Sequence, residues 1–438
     1  MKKVLFITYY WPPAGGAPIN RILKFYQYLH EFGWEPVILT TEGGDFPFED
    51  ESLLKEVKPE TKIYRSKGLS LHKIFSKVSP KSKKNFVPYG FTDASKSSFM
   101  DKLSRWVKYN FIPDTRFPWY FSTVRKAVKI INDEKIDLIF SSSPPQTNHL
   151  IARKAARKTG LPWVADFRDS MTEPGYPRDP LTWRVHRRLE EGVVKHCAKA
   201  VFTTEPTRDM YAERYPEISP DRWAVIENGF DEENFRDAEN GLPEAPLGQD
   251  GQLTLVHSGV LYPKERDPRP FFAAISTLKK AGKVDGKTVR IVLRATGSDG
   301  LYQPMIDELG IDDIVHLEPV VPYREALQEM LRADALLLFQ GSVCNHQVPA
   351  KIYEYYRAGK PIFALADPAG ISARMLRDVG VQDIADIADQ SAIATTLENL
   401  LLAMRQKARA GVAREAAALN SRKSRTAELA RLLDQFIK

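Results

Sequence analysis

Two cysteines stand in 438 residues, Cys197 and Cys344. That is too few for a disulfide framework, and it fits a reducing cytoplasm. No pair of His or Cys falls at metal-ligand spacing, so no structural zinc is expected. No apolar run approaches the roughly 18 residues of a spanning helix. Low-complexity tracts and short repeats are missing too. The start, MKKVLFITYYWPPAGGAP, imitates a secretory leader, with lysines ahead of an apolar run. The run is short, rich in β-formers and leads into a Gly-Pro turn, so it reads as a first buried strand. These absences point to a cytoplasmic protein, soluble or peripheral on the inner face of the membrane.

What is present suits a globular chain. Hydrophobic residues make up 43%, enough for two or three domains with ample core. The formal charge is +7 but uneven. Residues 51 to 130 hold 18 Lys plus Arg against 6 Asp plus Glu, and the remainder is net acidic. Such regional basicity points to one surface meeting an anionic partner.

Short β-rich runs alternate with helical patterns: VLFIT (4–8), PVILT (36–40), DLIFSS (137–142), WVADF (163–167) and AVFTT (200–204). After residue 250 come LTLVHSG (253–259), VRIVLRATG (289–297), ALLLF (335–339) and PIFALA (361–366). Continuous apolar strands separated by helices predict parallel sheets covered on both faces. The acidic, Gly- and Pro-rich stretch 232–251 reads as a linker or surface loop. The fold class is therefore α/β, two Rossmann-like doubly wound domains over 1–230 and 250–410, facing across a cleft. The tail 412–438 carries Ala427, Leu429, Leu432, Leu433 and Phe436 at helical spacing, which predicts a helix docking back on the first domain.

Ligands of open α/β sheets bind at the carboxyl ends of the strands, so the loops there hold the candidates. In TYYWPPAGGAPINR (8–21), Gly15 and Gly16 precede a helix start and offer a phosphate site, or merely a turn. Arg21 either adds charge there or covers the helix. ADFRDS (165–170) crowds Asp166, Arg168 and Asp169, as a salt-bridge cluster or as polar groups for a substrate hydroxyl. SSSPPQTNH (141–149) offers helix-capping serines or hydroxyl binders, with capping favoured. In the second half Lys264, Arg266 and Arg269 follow Gly259, and Gly297 lies in RATGSDG (294–300). Cations ahead of a helix start suit a diphosphate. In PAKIYEYYRAGKPI (349–362), Lys351 and Glu354 share a helix face, as a surface ion pair or as a clamp on a charged ligand.

The order of GGAPINR, VADFRD, VIENGFD (225–231), HSGVLYPKERDP and PAKIYEYYRAGKPI resembles the GT-B-fold glycosyltransferases, family 4. The resemblance implies sugar transfer with retention, from a UDP- or GDP-linked donor to a glycan or polyprenyl- or lipid-linked acceptor. It implies cell-surface polysaccharide or lipopolysaccharide synthesis, and no cofactor. It places Glu354 on the donor ribose as the second glutamate of an E-x7-E motif, and Arg266 on the diphosphate. Gly15, Gly16, Gly259, Gly297, Lys264 and Lys351 would complete the donor site. Arg168 and Asp169 fall where many members carry a His-Asp pair near the reacting sugar. His346 stands in place of the motif's first glutamate, so it or Gln347 would meet sugar hydroxyls. No D-x-D pair is placed to hold a metal. The alternatives are a nucleotide-sugar epimerase of the same fold and an inactive sugar-nucleotide-binding protein.

The acceptor half carries the basic region. FMDKLSRWVKYNF (99–111) sets Met100, Leu103, Trp106, Val107 and Phe111 on one helical face, with Lys102, Arg105 and Lys108 mostly elsewhere. Such a helix fits an anionic membrane surface, or packs on its own domain with a solvated basic side. Nucleic acid is not expected, because no binding motif accompanies the charge.

Overall fold

The computed structural model describes residues 1–44, 46, 49–68, 113–263 and 265–437. The chain forms two compact units, Met1–Glu227 with Arg425–Lys438, and Asn228–Ser424.

Unit 1 is built on seven parallel strands: β1 (Lys2–Ile7), β2 (Trp34–Glu42), β3 (Ile63–Lys67), β4 (Leu138–Ser143), β5 (Trp163–Phe167), β6 (Lys199–Phe202) and β7 (Trp223–Val225), in the order β3-β2-β1-β4-β5-β6-β7. Its helices are α1 (Ala17–Leu29), α2 (Trp119–Glu134), α3 (Thr147–Thr159), α4 (Pro180–His196) and α5 (Glu205–Arg214). Both faces of β1 are covered. Leu5 and Ile7 enter one core with Val37 and Ile139, while Val4 and Phe6 enter the other with Ile38 and Phe140. That is why the central strands read as unbroken apolar runs.

Unit 2 repeats the plan with six strands in the order β10-β9-β8-β11-β12-β13, all parallel. These are β8 (Leu253–Ser258), β9 (Val289–Arg294), β10 (Val315–Glu318), β11 (Ala335–Gln340), β12 (Ile362–Ala366) and β13 (Ile384–Ala385). The helices are α6 (Glu232–Glu239), α7 (Arg269–Lys280), α8 (Asp299–Leu309), α9 (Tyr323–Arg332), α10 (Lys351–Ala358), α11 (Ile371–Asp378), α12 (Gln390–Arg405) and α13 (Arg414–Ala418). In both sheets the chain order reverses beside the first strand, between β1 and β4 and between β8 and β11.

Two expectations change. The stretch 232–251 is not a plain linker, because its first part is α6. Asp231 caps it by accepting from Asn234 N, acidic residues fill its first turn, and Phe235 and Ala238 are buried. Cap and acidic first turn both favour a helix start. The tail also divides. Residues up to Ser424 belong to unit 2 with α13, whereas the rest of the last helix, α14 (Arg422–Asp434), belongs to unit 1. There Leu429, Leu432 and Leu433 enter the core with Val4 and Leu23, and Asp434 accepts from Trp34 Nε1 at 2.9 Å.

Arg21 proves to be neither ligand contact nor helix cover. It is 2% exposed, and its Nη2 lies 2.8 Å from Oδ1 of the fully buried Asp166. It also donates to the carbonyls of Ile226 at 2.7 Å and Glu227 at 2.9 Å. Ser142 Oγ donates to the second Asp166 oxygen at 2.6 Å. One guanidinium thus ties α1, β5 and the end of the unit's first pass together. Breaking such a pair strands a buried charge, at about 3–5 kcal/mol. Arg21→Met is expected to lose that much stability in urea titration, and a loss under 1 kcal/mol would refute the role.

Candidate functional site

The donor-side candidates converge at the carboxyl edge of the unit 2 sheet. After β8 the chain passes Gly259 with φ 125°, a conformation a side chain rarely adopts. A Cβ there would also sit 2.8 Å from Lys351 Nζ. Lys351 opens α10, and its ammonium donates to Ser258 O at 2.7 Å and to His257 Nε2 at 3.3 Å. His257 is fully buried against Phe339. Its Nδ1–H donates to Leu337 O at 2.9 Å, which leaves Nε2 as the lone-pair acceptor that Lys351 uses. Burial, then the Lys351 charge, push His257 well below the ordinary imidazole range, so it stays neutral.

Arg266 stands on the same loop. A second close approach holds that loop, for Gly341 N donates to Glu265 O at 2.9 Å and a Cβ on Gly341 would lie 2.2 Å from that oxygen. The Arg266 guanidinium lies 5.8 Å from the Tyr262 ring centre and reaches one carbonyl, Val260 O, at 3.4 Å. Its Nε is buried without a hydrogen-bond partner. Among the described residues neither Arg266 nor Lys351 has a carboxylate within ion-pair distance. Burial, then the Arg266 charge, push Lys351 down to about 7, against an ordinary 10.5. Two cations therefore lie close together with only Glu354 nearby to offset Lys351, an arrangement whose electrostatics suit an anion.

Glu354, one turn along α10, accepts from the Tyr323 hydroxyl at 2.6 Å. The alternative of a surface ion pair between Lys351 and Glu354 finds no support, since the two are not within ion-pair distance of each other. Burial raises the Glu354 carboxyl, while the Tyr323 hydrogen bond, Arg422 and Lys351 hold it down. Tyr323 itself is 46% exposed, so this carboxylate lies at the surface end of the site. Gly297 follows β9 with φ 75°, beside Val260. His346 is half-buried between the short turn Ser342–Cys344 and α10. Arg269 is committed to Asp267, 2.5 Å away. Lys264 lies outside the described residues, as do Lys102, Arg105, Trp106 and Lys108.

In unit 1, Gly15 is buried and Gly16, with φ 82°, is the N-cap of α1. Asp166 has turned inward, so the crowded ADFRDS cluster separates. Arg168 and Asp169 remain on the loop after β5, 3.5 Å apart, with Asp169 half exposed. The serines of 141–143 do not cap α3. Asp114 does so, accepting from Thr147 N and Thr147 Oγ1, both at 2.9 Å. Among the described residues no group of three or more His, Cys, Asp or Glu gathers as a metal site, and no helix is long and apolar enough to cross a membrane. His257, Tyr323, Gly341 and Asp114 were not singled out from sequence. Of these only His257 carried a signal, a polar ring at the end of an apolar strand.

Residues 20–234 match the family model described as Glycosyltransferase Family 4. A curated relative, D-inositol 3-phosphate glycosyltransferase of Frankia alni, is 26% identical over 202 residues. That match covers 43% of this chain and 48% of the relative, so the chain spans about half the length of the curated relative it matches. The fold of the whole chain is that of solved structures of GT-B type. Sucrose-phosphate synthase from Thermosynechococcus elongatus superposes with a TM-score of 0.64 at 12% identity, covering 99% of each chain. Anabaena HepE in complex with UDP and glucose gives 0.62 at 14% identity, covering 99% of this chain and 100% of that one.

The Lys351 shift has a sign that can be checked. The folded chain gives up this proton at about 7, while the unfolded chain holds it to 10.5. Stability should therefore rise with pH across that window. Lys351→Met is expected to stabilise the ligand-free protein at pH 7 and to flatten this slope in urea titrations at pH 7, 8 and 9. A less stable variant with an unchanged slope would refute the assignment.

Proposed function

We propose that the protein is a glycosyltransferase. Unit 2 binds a nucleotide-sugar donor, UDP- or GDP-linked. Unit 1 binds a hydroxyl-bearing acceptor, a glycan or a polyprenyl- or other lipid-linked sugar. Transfer proceeds with retention, in the building of cell-surface polysaccharide. The observation that carries the reading is the pair Arg266 and Lys351, two cations with little to offset them, one helical turn from a carboxylate. A diphosphate offsets both charges. Glu354 then accepts from the ribose hydroxyls, as a carboxylate takes two neighbouring O–H groups. The family 4 match of unit 1 and the solved HepE complex with UDP and glucose support the same assignment.

The chemistry follows from charge. As the bond from sugar to phosphate breaks, the leaving nucleoside diphosphate gains negative charge and the sugar becomes oxocarbenium-like. Arg266 and Lys351, already held in place, stabilise that charge without reorganising. The ammonium is half deprotonated near pH 7 in the free site. An arriving phosphate favours its charged form, so donor binding should draw in a proton. Gly297 gives the donor backbone to approach in unit 2, and Gly16 offers the same kind of approach in unit 1. His346 takes sugar hydroxyls in unit 2, and Arg168 and Asp169 serve the reacting sugar and acceptor in unit 1. The basic stretch with Lys102, Arg105, Trp106 and Lys108 brings the protein to the inner face of an anionic membrane.

A thermal-shift panel of UDP-, GDP-, ADP- and CMP-sugars tests the donor site. A ligand at a hundred times its Kd stabilises by about 2.7 kcal/mol. Glu354→Ala should weaken the best donor roughly 10- to 100-fold, the worth of a hydrogen bond to a charged group. Mass analysis of the products then separates a glycosylated acceptor from an epimerised donor. Stabilisation by no nucleotide-sugar, or an epimerised donor as the product, would overturn the reading.

A further inference from the structure

We infer that His257 is a positioning residue of the donor site: it fixes the Lys351 ammonium so that one N–H stands ready for the donor diphosphate. This rests on the glycosyltransferase reading and specifies how one of its two cations is set in place. An ammonium carries three N–H donors. Ser258 O takes one at 2.7 Å and His257 Nε2 takes another at 3.3 Å. Among the described residues Lys351 Nζ has these two acceptors, so its third N–H is open. Ser258 O alone would leave a long, flexible side chain able to swing its head group around that carbonyl. The second acceptor removes this freedom, and the third N–H then has one direction.

The surroundings make His257 an acceptor and nothing else. It lies in β8, fully buried, with its ring edge-on to Phe339 and the ring centres 5.0 Å apart. The ladder between β8 and β11 pairs Val256 with Leu336. One residue further on, the Leu337 carbonyl takes two side-chain donors, His257 Nδ1–H at 2.9 Å and the Tyr355 hydroxyl at 3.0 Å. The first of these bonds puts the ring proton on Nδ1 and the lone pair on Nε2. Burial, and after it the Lys351 charge, keep the ring from taking a second proton. The choice of a neutral acceptor has a physical reason. A carboxylate in this place would hold the ammonium but cancel the charge that a phosphate needs. An apolar ring would keep the charge but leave the head group loose. A neutral nitrogen holds the ammonium and leaves its charge available, which is preorganisation without compensation.

The ring tautomer is read first, in the unaltered full chain. Nitrogen-15 spectra of protein labelled at histidine should show His257 with Nδ1 protonated and Nε2 bare at neutral pH. A proton on Nε2 would overturn the inference. Binding of UDP and of GDP is then measured by calorimetry on wild type, His257→Phe, Lys351→Met and the double variant. Phenylalanine keeps a ring against Phe339, and Tyr355 still donates to Leu337 O, so the change strands no buried carbonyl. For the diphosphate that wild type binds, His257→Phe should raise Kd roughly tenfold, the worth of a hydrogen bond to a charged group. In the Lys351→Met background the same change should leave Kd within about twofold, because the head group it acts on is gone. A merely structural role would weaken binding alike in both backgrounds. An unchanged Kd in His257→Phe, or an equal loss with and without Lys351, would overturn the inference and leave the donor site standing. If wild type binds neither diphosphate, the glycosyltransferase reading itself falls, and the role of His257 with it.

Discussion

Arg266 and Lys351 repel each other, and unit 2 is arranged to keep them together. Gly341 stands where any side chain would collide with the loop bearing Arg266, and Gly259 does the same for the Lys351 ammonium. His257 cannot relieve the strain, because its bond to Leu337 O leaves only a neutral nitrogen facing Lys351. The fold thus maintains an electrostatic debt that no described carboxylate settles. Such an arrangement makes sense when an anion is the missing partner, and strongly perturbed groups gather at functional sites for this reason.

Unit 1 treats its central cation in the opposite way. Arg21 is fully compensated by Asp166 and two carbonyls, and the result is a strut. Each arginine comes a few residues after a glycine that follows the first strand of a doubly wound sheet, Arg21 on α1 and Arg266 in a loop, so position alone does not tell strut from ligand contact. The partners decide. Asp166 lies 145 residues from Arg21 in the chain, and only the folded structure shows that the two meet.

The same physics explains what could be read from the sequence. Every strand named in advance lies inside its sheet, with a strand on each side, and reads as an apolar run. The four that were not named, β3, β7, β10 and β13, are the edges of the two sheets. They are short or half-exposed, as in IYRSK and VHLE, and an edge needs no unbroken apolar run. At the site, Lys351 and Glu354 were legible as one helix face and Arg266 as a cation after a strand. Their partners were not. His257 is 94 residues from Lys351, and Tyr323 is 31 from Glu354. Asp166 departs from Arg168 and Asp169 for the same reason: its partner Arg21 is 145 residues away in the chain, and Arg168 and Asp169 lie beyond the end of β5.

The most direct test of the two-cation site is the Lys351 titration itself. Nuclear magnetic resonance of the protein with isotope-labelled lysine, with Lys351→Met to assign the signal, gives the pKa free and with a saturating nucleotide-sugar. A nucleotide-sugar carries a diphosphate diester that does not titrate near neutrality, so its own protons do not interfere. The account predicts a midpoint near 7 in the free protein, moving upward by more than one unit when the donor is bound. An ordinary lysine midpoint in the free protein, or one that stays at 7 with donor bound, would contradict it.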